Sequence, residues 1–533
     1  MRTRALLGAI ACAGGFGLTL VACGAGSAAP AEGALDGSGT DGGLTGSGGA
    51  SQAGNFGTGG STPPLIDGGS GGTPPLPPET EEPSAFRPPV VSGRFLWSAN
   101  PDSGRVALID AVSLSTRVIS AGLHPTYLAA IPSEPDLPTA IVLNTGNATA
   151  TLLRATDVAV ETAEVPTHPG ANAWAVAPSG DFAAAFSLGT ATLDPTQGLQ
   201  DVTLIDLRSD VIERRQLTAG YRPTQVLFDE LEESLIVVSE QGISTFELNG
   251  DGQHFVPLSG TMLDVSVTRD GHHALVHAES SDTIEIVALD PELPSVTMTL
   301  PAPITDLDLA PTGRAVAVLR DLSEIIVFDV DQVLVDPDDY ATKIIDGETV
   351  GSVELTIDGE RAVLFTTAED NDRLSIVDTS LVDLPVRTVD TETAIASVRT
   401  SPDGLHAIAL AKPSVGTSTG AFTVVALADE RFPRIVGTKA PVLDASLDDT
   451  AGVVTTSSAG GVHEAYVISM PSLNVEAMRL ASPPVSSGVL AEEGLGFVSQ
   501  SHASGRVSFF DLLATEIRTL TGFELSAEVV DDQ

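Results

Sequence analysis

The chain has 533 residues, of which 26 are Lys or Arg and 71 are Asp or Glu, so its formal net charge is −45. A hydrophobic fraction of 42% is enough for a large core and excludes a wholly disordered chain. The charge argues against nucleic acid as a partner, because a polyanion would be repelled and no block of Lys or Arg compensates for this.

Residues 1–22 have the pattern of a secretory signal peptide. Arg2 and Arg4 form a positive start, and residues 5–20 are apolar and uncharged but too short for a membrane span of about 20 residues. The following motif LVACG, residues 20–24, resembles the lipobox of bacterial lipoproteins. That resemblance implies that Cys23 becomes the diacylated N-terminus, with the outer membrane as the favoured location. An ordinary secretory signal with an incidental Cys is the alternative.

Residues 23–91 are predicted to form a tether. This segment is rich in Gly, Ser, Thr and Pro, so it cannot bury enough apolar surface to offset the entropy of folding. Cys12 belongs to the predicted signal peptide, so Cys23 would be the one cysteine of the mature chain, and no intrachain disulfide could form. The tether would hold the folded part away from the membrane while leaving it free to reorient.

Residues 92–533 read as short β-strands separated by turns, with one unit that recurs. The unit consists of an apolar strand, a turn with Gly, and a second apolar strand. Clear copies of the turn contain Gly180, Gly271, Gly313, Gly359 and Gly404. With degenerate copies included, the ten turns lie near positions 93, 136, 180, 231, 271, 313, 359, 404, 449 and 494. Their mean spacing of about 45 residues is typical of four-stranded propeller blades.

A third strand follows each hairpin and often ends in Asp. These residues are Asp110, Asp206, Asp329, Asp378 and Asp511. The strands are apolar at consecutive positions, which predicts burial on both faces, as in a blade packed between two others. We expect the Asp side chains to bond the turn that follows. A more polar fourth strand would form the outer edge of each blade.

The first two units resemble YVTN-type β-propeller repeats. The similarity is clearest in WSANPDSGRVALID, residues 97–110, and in NTGN, residues 144–147, and its looser part extends over residues 92 to 522. The resemblance implies an all-β ring of four-stranded blades, related to lactonase-like and WD40-like propellers, and it implies no particular activity.

Ten units predict either one unusually large ring or two propellers in tandem. No linker-like stretch divides residues 92 to 522, which favours a single ring. Residues 522–530 alternate between apolar and polar side chains, and we expect them to form a strand that pairs with the first blade, because ring closure removes exposed sheet edges.

Three patterns resemble chemical sites. GTSTG, residues 416–420, matches a nucleophile elbow but lies in a loop between β-strands, without the helix that this motif needs. His273 and His277 would share one face of a strand at a separation of about 13 Å, too far apart for one ion. Acidic loops such as residues 336–339 could bind Ca²⁺, but they lack an EF-hand pattern, and a solvated acidic surface is the favoured explanation. No catalytic, metal or cofactor residues are therefore predicted.

The sequence thus predicts a lipid-anchored β-propeller of the bacterial cell envelope, either periplasmic or exposed on the cell surface. Its function would be that of a binding or assembly-scaffold module for a protein or small-molecule partner rather than an enzyme. The acidity favours a cationic, metal-bearing or neutral partner. One alternative is a lactonase-like, metal-dependent hydrolase that uses the central funnel; another is a purely structural envelope protein.

Overall fold

The computed structural model describes residues 86–526 except for 135, 157, 189–197, 210, 259–262, 279, 414–418, 471 and 513–515. The predicted signal peptide, Cys23 and most of the predicted tether lie outside the described residues. The first strand begins at Val90, two residues before the start expected from the sequence. Upstream of it, Phe86 is already buried.

Ten four-stranded antiparallel sheets make up the structure. In every sheet the four strands follow one another along the chain and pair in that order, so each sheet is one blade. Blade 1 contains β1 (Val90–Ser92), β2 (Phe95–Asn100), β3 (Arg105–Asp110) and β4 (Thr116–Ser120). Blade 2 contains β5 (Pro125–Ile131), β6 (Thr139–Asn144), β7 (Thr149–Ala155) and β8 (Val160–Pro166).

The next four blades repeat this arrangement. Blade 3 contains β9 (Ala173–Val176), β10 (Phe182–Phe186), β11 (Asp201–Asp206) and β12 (Glu213–Thr218). Blade 4 contains β13 (Pro223–Phe228), β14 (Ser234–Ser239), β15 (Gly242–Glu247) and β16 (Gln253–Pro257). Blade 5 contains β17 (Leu263–Val267), β18 (His273–Ala278), β19 (Thr283–Ala288) and β20 (Val296–Thr299). Blade 6 contains β21 (Asp306–Leu309), β22 (Arg314–Leu319), β23 (Glu324–Asp329) and β24 (Ala341–Ile344).

The last four blades complete the array. Blade 7 contains β25 (Ser352–Leu355), β26 (Arg361–Phe365), β27 (Arg373–Asp378) and β28 (Val386–Asp390). Blade 8 contains β29 (Ile395–Thr400), β30 (His406–Ala411), β31 (Gly420–Ala426) and β32 (Arg434–Thr438). Blade 9 contains β33 (Val442–Leu447), β34 (Ala451–Ser457), β35 (His463–Ser469) and β36 (Asn474–Arg479). Blade 10 contains β37 (Pro484–Leu490), β38 (Leu495–Gln500), β39 (Arg506–Asp511) and β40 (Ile517–Thr521).

The central strands are apolar on both faces because each blade packs against two neighbours. Ala140 and Val142 of β6 lie in an apolar cluster with blade 1, whereas Ile141 and Leu143 lie in a cluster with blade 3. Alternate residues of a strand point to opposite faces, so consecutive apolar residues supply both interfaces. The burial on both faces predicted from the sequence is confirmed.

The ring closes by packing of blade 10 against blade 1. Leu96 and Ile109 of blade 1 share an apolar cluster with Phe497 and Phe509 of blade 10, just as each earlier blade shares one with the next. The protein is therefore a single ten-bladed β-propeller, and the prediction of one ring rather than two is confirmed. Each blade also keeps all four of its own strands, so no strand is exchanged across the seam.

The predicted hairpin turns are present between the first and second strands of the blades. Gly180, Gly271, Gly313, Gly359 and Gly404 all have positive φ angles, which glycine adopts without the steric cost that a Cβ imposes. Asp110, Asp206 and Asp378 bond the turn that follows, as predicted: they accept from the backbone N–H of Val112, Arg208 and Ser380. Asp329 instead accepts from the Arg314 guanidinium at 2.9 Å.

The prediction of a C-terminal strand that pairs with blade 1 is wrong for its described part. The chain forms a short helix there, α2 (Phe523–Ser526). Residues 90–92 already provide the first strand of blade 1, so the position that a closing strand would take in this blade is filled. Phe523 instead turns into the seam, where it is 1% exposed and meets the ring of Phe86 edge to face at 5.0 Å.

The C-terminal segment occupies the place that an inter-blade loop takes elsewhere in the ring. The N–H of Gly522 donates to the carbonyl of Gly505 at 2.8 Å, as the N–H of Ala121 does to Gly104 at 3.0 Å after blade 1. The Asn100 side-chain amide of blade 1 then donates to Glu524 Oε2 at 2.6 Å. We call the contacts of Phe523 with Phe86 and of Glu524 with Asn100 the latch.

One other α-helix is present among the described residues, α1 (Val330–Val333), and two 3₁₀ turns occur at Arg320–Leu322 and Ala491–Glu493. Within residues 86–526, apart from the gaps given above, no helix has the length and apolar character needed to cross a membrane.

Candidate functional site

The first strands of the ten blades line the centre of the ring. They are the inner edge strands of their sheets, and first strands of neighbouring blades contact one another, as β5 does with both β1 and β9. We call the surface formed by these first strands the inner wall. Its shape is set by the number of blades, and its chemistry is set by the few side chains that each first strand presents.

In the first strand of blade 6, two alternate residues face the following blade. In blade 6 these are Asp306 and Asp308: Asp306 Oδ2 accepts from the N–H of Val353 at 2.9 Å, and Asp308 Oδ2 accepts from the N–H of Leu355 at 2.7 Å. Both donors belong to the first strand of blade 7. The two carboxylates therefore satisfy N–H groups on the inner edge of the next sheet, which would otherwise be unpaired.

The charged residues of the inner wall are concentrated in blades 5 to 9. The strand register places one set of side chains at equivalent positions on these blades. We call this set the acidic arc; it consists of Asp264, Asp306, Asp308, Glu354, Arg399 and Asp444. Five of the six are acidic, so the arc becomes negative as these carboxyl groups ionise.

The equivalent positions on blades 2 to 4 have no charge, and we call them the neutral arc. The strand register aligns them with the acidic arc. They are Tyr127, Ala129, Ala173, Ala175, Gln225 and Leu227. Tyr127 is 40% exposed, and its carbonyl accepts from the Trp174 indole N–H at 3.0 Å. The inner wall is thus acidic on one side and neutral, with exposed aromatic surface, on the other.

Burial and mutual repulsion alter the acidity of the arc. Burial, together with the charges of Asp308 and Asp306, raises the pKa of Glu354 to about 8, and the charge of Arg399 acts in the opposite direction. Burial also raises the pKa of Asp306 to about 6, with Asp308 and Asp264 contributing. The carboxyl groups therefore lie close enough to influence one another, although they belong to three different blades.

Arg399 is the only cation of the arc, and it is already engaged. Its guanidinium forms an ion pair with Asp444 Oδ1 at 3.0 Å and donates to the carbonyl of Ala445. Both partners belong to blade 9. The positive charge of Arg399 is therefore directed away from Asp264 and Asp306, which keep the potential of blades 5 and 6 negative.

The structure places the sequence-derived histidine cluster in the core of blade 5. His273 and His277 lie on β18 and are buried, whereas His272 is exposed. Burial lowers the pKa of His277, with the Asp264 charge acting in the opposite direction. Among the described residues, no group of three or more His, Cys, Asp or Glu side chains is placed to hold a metal ion.

The remaining sequence candidates contribute little to a site. Ser418 of the GTSTG motif lies outside the described residues, and β31, a strand, begins at Gly420. In the acidic loop at 336–339, Asp336 Oδ1 accepts from the N–H of Asp338 at 3.2 Å, which is an ordinary turn contact.

Buried polar residues hold the inter-blade loops in place. His168, which follows β8, contacts Thr203 Oγ1 at 3.0 Å and Ser187 Oγ at 3.1 Å. In blade 2 the Asn144 amide donates to Thr151 Oγ1 at 2.8 Å. Thr151 donates in turn to the carbonyl of Ala121, which follows β4. Both groups of contacts therefore lie where a fourth strand leads into the next blade, and they hold that connection in place.

Sequence reasoning missed the acidic arc. The pattern TDLDL, residues 305–309, alternates acidic and apolar residues immediately before a predicted turn. Such alternation indicates a strand with one apolar and one polar face, and its repetition around the ring would have pointed to the inner wall. What the pattern does not show is that Glu354 lies beside it, 46 residues after Asp308.

Comparisons with known proteins concern the fold alone. Neither a protein-family model nor a curated protein matches the chain, whereas 1095 chains of solved structures do. A structure described as the eukaryotic initiation factor is 9% identical, with 70% of this chain and 93% of that chain covered and a TM-score of 0.49.

Two further structures match over much of their length. Dihydro-heme d1 dehydrogenase NirN in complex with DHE is 15% identical, with 69% of this chain and 76% of that chain covered and a TM-score of 0.39. The β-propeller domain of Cps50 (Swd1) from Myceliophteria thermophila is 11% identical, with 58% and 97% covered and a TM-score of 0.35. These values carry no argument about function, and the fold assignment rests on the ten sheets themselves.

Proposed function

We propose that this protein is a binding module of the bacterial cell envelope that holds a cationic partner against the inner wall of its propeller. The observation that carries the proposal is the uneven inner wall, with the acidic arc on blades 5 to 9 and the neutral arc on blades 2 to 4. A rigid ring with side chains fixed by register is a typical platform for binding.

The chemistry of the two arcs defines the partner. Carboxylates of blades 5 and 6 attract ammonium and guanidinium groups, and the exposed part of Tyr127 offers apolar and aromatic surface. A polypeptide segment that alternates basic and apolar residues matches both sides. The net charge of −45 would speed its approach at low salt.

The membrane anchor is the second part of the proposal. Its support is the LVACG motif at residues 20–24, after which Cys23 would bear the lipid. Two acyl chains are enough for stable attachment. The tether would then connect the lipid to the ring.

The likeness of blades 1 and 2 to YVTN-type repeats belongs to this proposal as well. Asn100 and Asn144 end the second strands of the two blades and make different contacts, with Glu524 and with Thr151. The hydrolase alternative stays a sequence-based prediction, since no observation on the described residues favours it.

A binding measurement tests the proposed site. The probe is a short fluorescent peptide that alternates arginine and leucine, and its binding to the full chain is followed by fluorescence anisotropy at low and physiological salt. Replacing both Asp264 and Asp306 by Asn should weaken binding about tenfold, which corresponds to about 1.4 kcal/mol of lost attraction. The amide that replaces the Asp306 carboxylate keeps an oxygen that can accept from the N–H of Val353.

The matched control removes the same charge elsewhere. Asp338→Asn with Asp339→Asn changes the exposed loop after α1 and should leave the affinity nearly unchanged. If the two double variants weaken binding equally, attraction to the total charge explains the binding and the inner-wall site is refuted.

A further inference from the structure

The strongest unexplained feature of the ring is the contact between the inner strands of blades 6 and 7. Glu354 lies between Val353 and Leu355, and the N–H groups of these two residues are the ones held by Asp306 and Asp308 at 2.9 and 2.7 Å. The two carboxylates thus bind the first strand of blade 7 through the residues immediately before and after Glu354. Val353 and Leu355 also pack into the apolar cluster between the two blades.

The surroundings of Glu354 are almost entirely acidic. Asp306 and Asp308 act on it from blade 6, Asp264 acts on those two from blade 5, and Arg399 is the cation that faces it from blade 8. Arg399 is shared with Asp444 of blade 9 at 3.0 Å. No hydrogen bond joins the Glu354 carboxyl to any of the residues that the structure describes.

We propose that the contact between blades 6 and 7 is a proton-linked joint, closed while Glu354 keeps its proton and loosened once Glu354, Asp306 and Asp308 are all ionised. An ionised Glu354 would be repelled by the same two carboxylates that hold its strand. The repulsion would act directly on the hydrogen bonds of Val353 and Leu355. The joint concerns the ring itself and does not require the proposed partner, although Asp306 takes part in both proposals.

The direction of the pH dependence follows from linkage. In the ring the pKa of Glu354 is raised to about 8 from an ordinary value of 4.5, so the closed joint binds a proton that the opened joint releases. The stabilisation is complete below the ordinary pKa and declines as the pH rises, until it is lost above about pH 8. Between pH 4.5 and about pH 8, the ionisation of Glu354 raises the equilibrium constant for opening by up to about tenfold per pH unit.

Hydrogen–deuterium exchange of the segment around Val353 and Leu355 measures this opening in the full chain. After correction for the intrinsic pH dependence of amide exchange, the wild type should exchange up to about tenfold faster per pH unit and level off above about pH 8. Glu354→Gln keeps the shape but cannot ionise, so its corrected exchange should lose the rise that leads up to about pH 8. It should keep only the dependence at lower pH that Asp306, whose pKa is raised to about 6, contributes.

Two further variants complete the test. Glu285→Gln, an exposed change on β19, should keep the wild-type profile. Asp306→Asn removes one of the charges that raise the pKa of Glu354. The pH above which the corrected exchange rate stops rising should therefore be lower than in the wild type. A wild-type profile that follows intrinsic exchange alone, or a Glu354→Gln profile that matches the wild type, would overturn the joint.

Discussion

At the scale of single residues, the ring depends on glycines where the chain reverses between first and second strands. Gly180 and Gly313 occupy the same place in blades 3 and 6, with φ angles of +82° and +88°. A Cβ at position 180 would lie 2.5 Å from the carbonyl oxygen of Pro132, whereas a Cβ at position 313 would meet nothing within 4 Å. The two positions share a backbone requirement and differ in their surroundings.

This difference predicts unequal costs for the same substitution. Gly313→Ala should lower the free energy of unfolding by about 1–2 kcal/mol through the unfavourable positive φ alone. Gly180→Ala should cost about 2 kcal/mol more, because the backbone oxygen of Pro132 must move. Urea denaturation followed by circular dichroism measures both; equal costs would contradict the contact at Pro132.

At the scale of elements, the ring is closed by side chains of a terminal segment rather than by an exchanged strand. Phe523 of α2 is fully surrounded by Phe86 and the residues between blades 10 and 1. Arg518 adds a bond from β40 to the carbonyl of Val112 in blade 1 at 3.0 Å. Without strand exchange, the seam has the same kind of contact as every other blade interface, with the latch added.

Removing the latch should therefore loosen the seam first. Phe523→Ala should cost about 3–5 kcal/mol, as expected for a buried Phe, and should speed amide exchange in blades 1 and 10 more than in blade 5. The control is Phe432→Ala, because Phe432 is 92% exposed and its loss should leave stability unchanged. Uniform faster exchange in all blades of the Phe523 variant would argue against a local latch.

At the scale of the whole molecule, the proposed anchor and the ring are separable. The ring has its own core, formed by the ten clusters between blades, and every member of these clusters lies between Phe86 and Phe523. Lipid attachment and folding should therefore respond to different substitutions.

The anchor is tested by membrane fractionation after expression in a Gram-negative bacterium. Cys23→Ser should release the protein from the detergent-extractable membrane fraction and leave its circular dichroism spectrum unchanged. The control, Cys12→Ser, changes the predicted signal peptide and should stay attached. Membrane attachment of the Cys23 variant would refute acylation at this residue.

The sequence by itself determined the blade. The spacing of the glycine turns, the strands with consecutive apolar residues and the Asp at the ends of third strands each follow from local rules of backbone conformation and burial. Their number then fixed the count of ten units, and the absence of a linker favoured the single ring that the structure contains.

Tertiary structure alone decided the seam and the inner wall. Residues 522–526 have a strand-like pattern but meet a blade that is already complete, so they turn into a helix. Asp306, Asp308 and Glu354 come from two blades and become neighbours only because closure fixes the register of adjacent first strands. Proximity of this kind depends on packing across the ring, which a pattern read along one strand does not contain.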